Sequence, residues 1–269
     1  MDTSDHEVNL KILLDRVVKD GDLTEKQRNS LLAQMTDEVA GLVLDDNYEQ
    51  NLALANAVEH APSLLHVHEA WIRKLEGDGI LNRELEALPS RKEVQRRLDT
   101  GEGLTAPELA VLMSWTKIVL ADELLDSEIA EDPYFEQDLR AYFPTAVREG
   151  FGEQVHDHPL RREIIVTQVV NDLVNGAGMT FWPRLAGETG ATAVELTRAN
   201  FVAREIFGSL PMRQELRSFD NRLDAGVQTR MRLEMRTLVE RASRWLVNNR
   251  RPPLDSRAPS SCSPSPCSG

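Results

Sequence analysis

Residues 158–190 read HPLRREIIVTQVVNDLVNGAGMTFWPRLAGETG, and this stretch decides the fold class. Its first half carries apolar side chains at steps of one to five residues along one stripe, the pattern of a long amphipathic helix. They are Leu160, Ile164, Ile165, Val169, Val170, Leu173 and Val174. We expect Gly176 and Gly178 to end that helix, because glycine adopts the left-handed conformation without a steric clash. A second short helix is expected between Thr180 and Gly190.

A row of polar side chains, Thr167, Asn171 and Asn175, lies beside the apolar stripe at i, i+4 and i+8. A helix of this composition is typical of the centre of a bundle. We interpret the row as a hydrogen-bonded network in the core, and a ligand site is the alternative.

Four arginines flank the same stretch: Arg161, Arg162, Arg184 and Arg198. They are compatible with an anion pocket, but ion pairs between helices are the favoured interpretation.

Helix signals continue along the rest of the chain. Capping boxes predict helix starts at Thr24, Thr105 and Thr192, each followed by Glu or Gln three residues later. Pro62 is expected to break a helix, with Ser63 capping the next one. No run of alternating residues predicts a strand. The sequence therefore predicts an all-α fold, a multi-helix, bundle-like domain of eight to ten helices.

The last long helix is expected to run roughly from Asp224 to Asn249. Its predicted core face consists of Val227, Met231, Met235, Leu238, Ala242 and Trp245. Its arginines alternate with glutamates, which predicts a solvated polar face. Residues 251–269 are rich in Ser and Pro, and their composition predicts a disordered C-terminal tail.

Charge and composition restrict the function. The chain has 269 residues, with 31 Lys and Arg against 44 Asp and Glu, a formal net charge of −13. Because this field repels phosphate backbones, nucleic acid is not an expected partner.

No apolar run reaches the ~20 residues of a membrane span and no secretory signal opens the chain, so we expect a cytoplasmic protein with no membrane contact. Cys262 and Cys267 lie in the Ser/Pro tail and predict neither a disulfide framework nor a zinc site.

Motifs that carry chemistry are missing from the sequence. No glycine-rich phosphate loop is present, so no cofactor-binding residues are predicted. His66 and His68 point apart on a helix and do not favour one metal ion. For His156 and His158, a loop or capping role is favoured over metal binding. The residues alone therefore predict neither catalytic groups nor metal ligands.

Four long stretches, at residues 5–50, 103–125, 158–191 and 223–255, carry a more specific pattern. The first begins DHEVNLKILLDRVV and the second reads GLTAPELAVLMSWTKIVLADELL. Together and in this order they resemble the C-terminal part of the large NAD-specific glutamate dehydrogenases of bacteria. The resemblance extends from Asp2 to Asp255.

This resemblance implies a division of the chain into three parts. Residues 1–20 would be the hinge segment and helix that follow the NAD domain, residues 21–250 the C-terminal helical domain, and residues 251–269 the tail. Family members are several times longer, and their glutamate site, catalytic lysine and Rossmann domain lie upstream of the matched segment. Ser4 resembles the serine that binds the substrate side-chain carboxylate in such enzymes. Its alternative role is the N-cap of the first helix.

The implied parent reaction is oxidation of glutamate by NAD to 2-oxoglutarate and ammonium. We expect this chain to be inactive by itself, with NAD bound by the parent enzyme and none by this chain. Expected partners are the remaining domains of the dehydrogenase or a homo-oligomer. The alternative is a free-standing interaction or regulatory module that docks on a separately encoded dehydrogenase subunit. Met1 in mid-domain and the end of the match at Asp255 are expected for a split, frameshifted or truncated gene.

Overall fold

The computed structural model describes residues 5–249, and over this range the chain forms thirteen α-helices and no β-strand. The first nine are α1 (Asp5–Lys19), α2 (Glu25–Gln34), α3 (Thr36–Gly77), α4 (Arg91–Thr100), α5 (Ala106–Leu125), α6 (Glu136–Tyr142), α7 (Thr145–Gly150), α8 (Gly152–His156) and α9 (Arg161–Ala177). The last four are α10 (Phe181–Thr189), α11 (Ala193–Ile206), α12 (Ser209–Ser218) and α13 (Ala225–Asn249). The predicted all-α class is confirmed. The expected helix number was too low, because helices such as α7 and α8, of six and five residues, are too short to show an apolar period.

The chain divides into two compact units, Met1–Thr180 and Phe181–Gly269. The division falls between α9 and α10, inside the stretch that defines the fold class. The Ser/Pro tail predicted for residues 251–269 lies outside the described residues. None of the helices at residues 5–249 is long and apolar enough to cross a membrane.

Helix α9 occupies the centre of the first unit. It packs against α3, α5 and α6 and against the 3₁₀ turn Glu128–Glu131. The predicted stripe is buried from Ile164 to Val174, whereas Leu160, the residue before the helix, is 37% exposed. Gly176 lies inside α9, and the helix ends at Gly178, whose φ of +90° favours glycine. The sequence therefore identified the central helix and its buried face correctly.

Helix α3 contradicts the expected break at Pro62. It runs for 42 residues with Pro62 inside it, and the Ser63 hydroxyl donates to the carbonyl of His60 instead of capping a new helix. An internal proline costs about 3 kcal/mol, since it removes a backbone hydrogen bond. Burial of side chains on both sides, from Ala53 to Leu75, offsets that cost.

The three predicted capping boxes are confirmed. The Oγ1 atoms of Thr24 and Thr192 accept from backbone amides three residues later, at 3.3 and 3.2 Å. At the start of α5, the amide of Thr105 donates to the Glu108 carboxylate at 2.7 Å. Local sequence fixes these helix starts, because all the partners lie within one turn.

In the second unit, α11 and α13 pack along their length. Their shared core contains Ala199, Val202 and Ala203 from α11 and Val239 and Leu246 from α13.

The predicted core face of α13 is wrong at Met231, Leu238 and Trp245, whereas Ala242 packs against the core shared with α11, as predicted. The helix buries Gln228, Val239, Ser243 and Leu246, whereas Met231, Leu238 and Trp245 are exposed. Helix α13 carries two neighbouring apolar stripes, and the small residues of α11 fit the one that holds Val239 and Leu246. Periodicity alone did not distinguish the two stripes.

Candidate functional site

A buried polar cluster ties α1 to the rest of the first unit. His6, in the first turn of α1, is 5% exposed. Its Nδ1 lies 3.0 Å from the carbonyl oxygen of Tyr142, and its Nε2 lies 3.0 Å from Oδ2 of Asp46 in α3. The imidazole also stacks on the Tyr142 ring, with 4.1 Å between centroids. One side chain thus joins three helices.

The two partners of His6 define its protonation state. A carbonyl oxygen and a carboxylate both accept hydrogen bonds, so both ring nitrogens donate and the ring is an imidazolium. Burial favours the neutral ring, but the hydrogen bond and charge of Asp46 and the Tyr142 carbonyl outweigh it, and the pKa of His6 is raised. His6 and Asp46 therefore form a half-buried ion pair at the start of α1.

Asn9 and His158 form the second half of the cluster. The Asn9 amide donates to the Tyr142 hydroxyl at 2.8 Å, and Nε2 of His158 lies 3.1 Å from the Asn9 carbonyl oxygen. Nδ1 of His158 accepts from the amide of Leu160 at 3.0 Å. This pattern requires a neutral ring with the proton on Nε2, and burial lowers the pKa of His158 accordingly. The loop and capping role predicted for His158 is confirmed.

A cavity of about 190 Å³ adjoins His6. It lies among α1, α3, α6 and α9, and its polar lining includes Asp45, Asp46, Asp138, Gln168 and Asp172. A wall with this many carboxylates attracts cationic groups and repels a dinucleotide pyrophosphate. Within residues 5–249, no group of three His, Cys, Asp or Glu side chains is placed to hold a metal ion.

Lys117 of α5 adds a buried cation to the same unit. Its Nζ donates to Oδ1 of Asn171 in α9 at 2.8 Å. Burial lowers the pKa of Lys117 to about 8, although the negative charge of Asp46 acts in the opposite direction.

The polar row of α9 is only partly the network that the sequence predicts. Asn171 bonds Lys117, as described, but Thr167 is exposed. The buried amide oxygen of Asn175 has no hydrogen-bond partner among the described residues. The row therefore contributes one interhelical bond, and the expectation of a fully hydrogen-bonded core network was wrong.

Of the arginines predicted to form ion pairs, Arg161, Arg162 and Arg184 have the partners that follow. Arg161 and Arg162 both contact Glu131, and Arg162 also donates to the carbonyls of Leu125 and Ser127. In the second unit, Arg184 of α10 pairs with Glu240 of α13 at 2.5 Å.

The solvated arginine face predicted for α13 is partly wrong. Arg230 and Arg241 are exposed, but Arg244 is half-buried and pairs with Glu188 at 2.8 Å. Arg232 pairs with Asp220 at 3.2 Å. Burial lowers the pKa of Arg236 to about 10, opposed by the charge of Glu240 and reinforced by that of Arg184. Arg244 thus connects α13 to α10, and Arg232 connects α13 to the segment after α12.

Ser4, the predicted substrate-binding residue, lies outside the described residues. His66 is exposed and His68 is buried, so they lie on different faces of α3, as predicted. Sequence reasoning missed His6, Asp46 and Lys117. His6 and Asp46 are 40 residues apart in the sequence, so no local spacing of residues indicates that they form a pair. Lys117 offered a signal, because it is a single cation within the apolar run VLMSWTKIVL.

The described residues thus define a helical scaffold whose helices are joined by buried polar pairs. Comparison with known families identifies the scaffold. Residues 101–261 match the family described as glutamate dehydrogenase, C-terminal. Residues 1–57 match the family of the bacterial NAD-glutamate dehydrogenase catalytic domain. The chain belongs to the glutamate dehydrogenase C-terminal family.

Three curated relatives are named NAD-specific glutamate dehydrogenase. The protein from Mycobacterium tuberculosis is 44% identical over 254 residues, which is 94% of this chain and 16% of the relative. Those from Pseudomonas aeruginosa and Halomonas elongata are each 42% identical, over 95% and 92% of this chain and 16% and 15% of the relative. The chain therefore spans about one sixth of the length of these relatives.

Proposed function

We propose that this chain is the C-terminal helical portion of an NAD-dependent glutamate dehydrogenase. The parent enzyme converts glutamate and NAD to 2-oxoglutarate, ammonium and NADH. The order of the family matches carries this proposal. The first 57 residues match the catalytic domain of the bacterial enzymes, and residues 101–261 match their C-terminal family. A chain with both matches in this order spans the junction between catalytic and C-terminal parts.

The role of the chain in catalysis is to support the edge of the glutamate site. Ser4 directly precedes α1, and in this proposal its hydroxyl binds the side-chain carboxylate of the substrate. The bonds of His6 and Asn9 support this role, because they fix the first two turns of α1 against α3 and α6.

Catalysis and NAD binding belong to the upstream part of the parent enzyme, and this chain alone is inactive. The acidic cavity beside His6 supports that division, since it repels the pyrophosphate of a dinucleotide. The partners are the remaining domains of the dehydrogenase, within a homo-oligomeric assembly in the cytoplasm.

Mixing the chain with the upstream part tests the proposal. The purified chain alone should neither reduce NAD in the presence of glutamate nor bind NAD in calorimetry. An enzyme assembled from the upstream part and this chain should be active. Glutamate-dependent turnover by the isolated chain would overturn the proposal.

Ser4 has a separate test in the assembled enzyme. Ser4→Ala should raise KM for glutamate about tenfold or more, because one hydrogen bond to a charged group is lost, and should leave KM for NAD within about twofold. Ser30→Ala, at an exposed position of α2, is the matched control. If Ser4→Ala and Ser30→Ala have the same KM for glutamate, Ser4 does not bind the substrate.

A free-standing module that docks on a separately encoded subunit is the second candidate. The fully buried side chains of the first unit, such as Leu14, Leu65 and Leu109, favour it, because they give this segment a core of its own. Recovery of activity on mixing two separately folded products would select this candidate. If activity is recovered only when the two parts are synthesised together, the chain is the C-terminal portion of a single-chain dehydrogenase.

A further inference from the structure

Helix α3 changes character at Ala53. Its buried side chains all lie between Ala53 and Leu75, whereas the part from Thr36 to Leu52 buries none, although it is about 25 Å long. Helix α2, which precedes it, has no buried residue either. Most of the stability of a helix in a protein comes from the packing of one face. The first half of α3 therefore lacks packing that the second half has.

One side of this first half, called here the outer face of α3, is open to solvent. Its exposed residues repeat at helical spacing and are Asp37, Ala40, Gly41, Leu44, Asn51, Ala55 and Val58. Tyr48, in the middle of the same row, is half-buried. Leu44 is 69% exposed, and a Cβ atom added at Gly41 would have no heavy atom within 4 Å.

The first unit uses the opposite side of the same segment. Asp46 bonds His6 of α1, and it follows Leu44 by two residues, which is about 200° around the helix. The contact with α1 therefore leaves Leu44 and Gly41 at the surface.

The family matches divide α3 near the point where its burial begins. The match to the catalytic-domain family covers residues 1–57 and ends four residues after Ala53, the first buried residue of the helix. The unburied half of α3 thus lies inside the catalytic-domain match, and most of the buried half lies outside it. Segments of one domain share its core. The rest of the catalytic domain is therefore the neighbour expected on the outer face.

Charge and side-chain size define the surface that fits there. Residues 36–57 hold five carboxylates and no Lys or Arg. Such a segment is complementary to an apolar surface bordered by basic side chains. The small residues Ala40, Gly41 and Ala55 allow the backbone of a neighbouring helix to approach closely.

We propose that the outer face of α3 packs against the catalytic domain of the parent dehydrogenase, on an apolar surface of that domain with Lys or Arg at its border. The proposal rests on the proposed function and deepens it, because it assigns the surface through which this chain joins the catalytic part. Helix α3 then belongs to both parts. Its first half packs on the catalytic domain, and its second half packs in the core of the first unit.

Hydroxyl-radical footprinting measures whether the outer face is covered. The oxidation rate of Leu44 should fall about fivefold or more between the chain alone and the enzyme assembled from the upstream part and this chain, because an interface core excludes water. Leu85 is the matched control, since it is 83% exposed and lies outside both family matches, and its rate should stay within about twofold. An unchanged rate at Leu44, or an equal fall at both leucines, overturns the proposal.

A second copy of this chain is the alternative occupant of the outer face. Footprinting of the chain alone at about 1 µM and about 100 µM distinguishes it, because weak protein pairs form between these concentrations. We expect equal oxidation of Leu44 at both. Slower oxidation of Leu44 at the higher concentration would assign the face to a dimer and overturn the proposal.

Gly41→Leu tests the close approach at the same face. In the chain alone it should leave the Tm unchanged or raise it, because the site is open and leucine favours a helix more than glycine does. In the assembled enzyme it should lower the Tm by about 5 °C or more, since the new side chain separates two packed surfaces. Gly187→Leu, at an exposed and equally open position of α10, should not lower it. An assembled enzyme that tolerates both substitutions contradicts the proposal.

Activity and footprinting together separate this surface from the proposed function. If the assembled enzyme does not reduce NAD in the presence of glutamate, the proposed function and the surface that rests on it are both wrong. If it is active while Leu44 keeps the oxidation rate of the chain alone, the proposed function stands and only the assignment of the outer face is wrong.

Discussion

Lys117 and Asn171 join the two central helices of the first unit, with Nζ donating to Oδ1 at 2.8 Å. The contact pairs a cation with a neutral amide. Its net effect on folding is therefore unfavourable when the lysine is charged, because the amide does not replace the lost hydration. The pKa of Lys117 is lowered to about 8 because burial makes the charged form less favourable.

The pH dependence of stability should reveal the Lys117 cost. Its folded-state pKa lies below its ordinary value of 10.5, so between pH 8 and pH 10.5 the unfolded chain binds more protons than the folded one. The free energy of unfolding should therefore receive an increasing contribution as pH rises through that range. Urea unfolding at pH 7, 9 and 10 measures it. Lys117→Met should remove this contribution and stabilise the fold at pH 7 by about 1–3 kcal/mol.

Lys92→Met is the matched control, because Lys92 is exposed on α4. It should keep the pH contribution of the original chain. If the free energy of unfolding loses its rise with pH equally in Lys117→Met and Lys92→Met, the rise is caused by the loss of any positive charge and not by burial of Lys117.

The pair of His6 and Asp46 should give the opposite pH dependence. The folded-state pKa of His6 is raised, so its contribution to stability is complete below pH 6.5 and is lost as pH rises through the folded-state pKa. Asp46→Asn should remove this contribution and cost about 1–3 kcal/mol at pH 6, since a buried imidazolium loses its counterion. Thermal unfolding from pH 5 to pH 8 measures the change. Glu59→Gln, an exposed substitution on the same helix, should leave the profile unaltered.

The sequence predicted those features that depend on neighbours within one or two turns. The capping boxes at Thr24, Thr105 and Thr192 and the buried stripe of α9 are of this kind. Features that depend on distant residues were missed or wrong. Pro62 stays inside α3 because tertiary burial exceeds its local cost, and the choice between the two stripes of α13 is made by α11.

In the candidate site too, contacts between near neighbours were predicted from the sequence, whereas contacts between distant residues were not. The capping role of His158 follows from its neighbour Leu160. The link from His6 to Tyr142 spans 136 residues, and only the fold brings the two together. The resemblance to glutamate dehydrogenases was accessible from the sequence, since it rests on long ordered matches and not on contacts.

A buried ion pair between Glu69 and Arg83 should be the most sensitive charged contact of the first unit. The two side chains are 7% and 10% exposed and lie 2.9 Å apart, and Arg83 also donates to the Pro89 carbonyl. Glu69→Ala should cost about 3–5 kcal/mol, because it leaves a buried guanidinium with fewer acceptors. Asp78→Ala, which removes an exposed pair with Lys74, should cost less than about 1 kcal/mol. Chemical denaturation of both variants makes the comparison, and similar losses would contradict the assigned burial.

Gly103 should tolerate no side chain, because it packs directly on the backbone of α3 beside the internal proline. A Cβ atom there would lie 2.4 Å from the carbonyl carbon of Ala61 and 2.6 Å from the nitrogen of Pro62. Backbone atoms of a buried helix cannot move aside without loss of packing, so Gly103→Ala should destabilise the fold by about 2–4 kcal/mol. Gly150→Ala, at a site with no heavy atom within 4 Å, should be neutral or slightly stabilising.

Urea midpoints of the two alanine variants distinguish close packing from a general effect of glycine replacement. A large loss for Gly103→Ala alone supports the continuous α3, since a helix broken at Pro62 would leave the following segment free to shift away from the new methyl group. Equal stability of the two variants would show that the loop before α5 does not pack against Pro62.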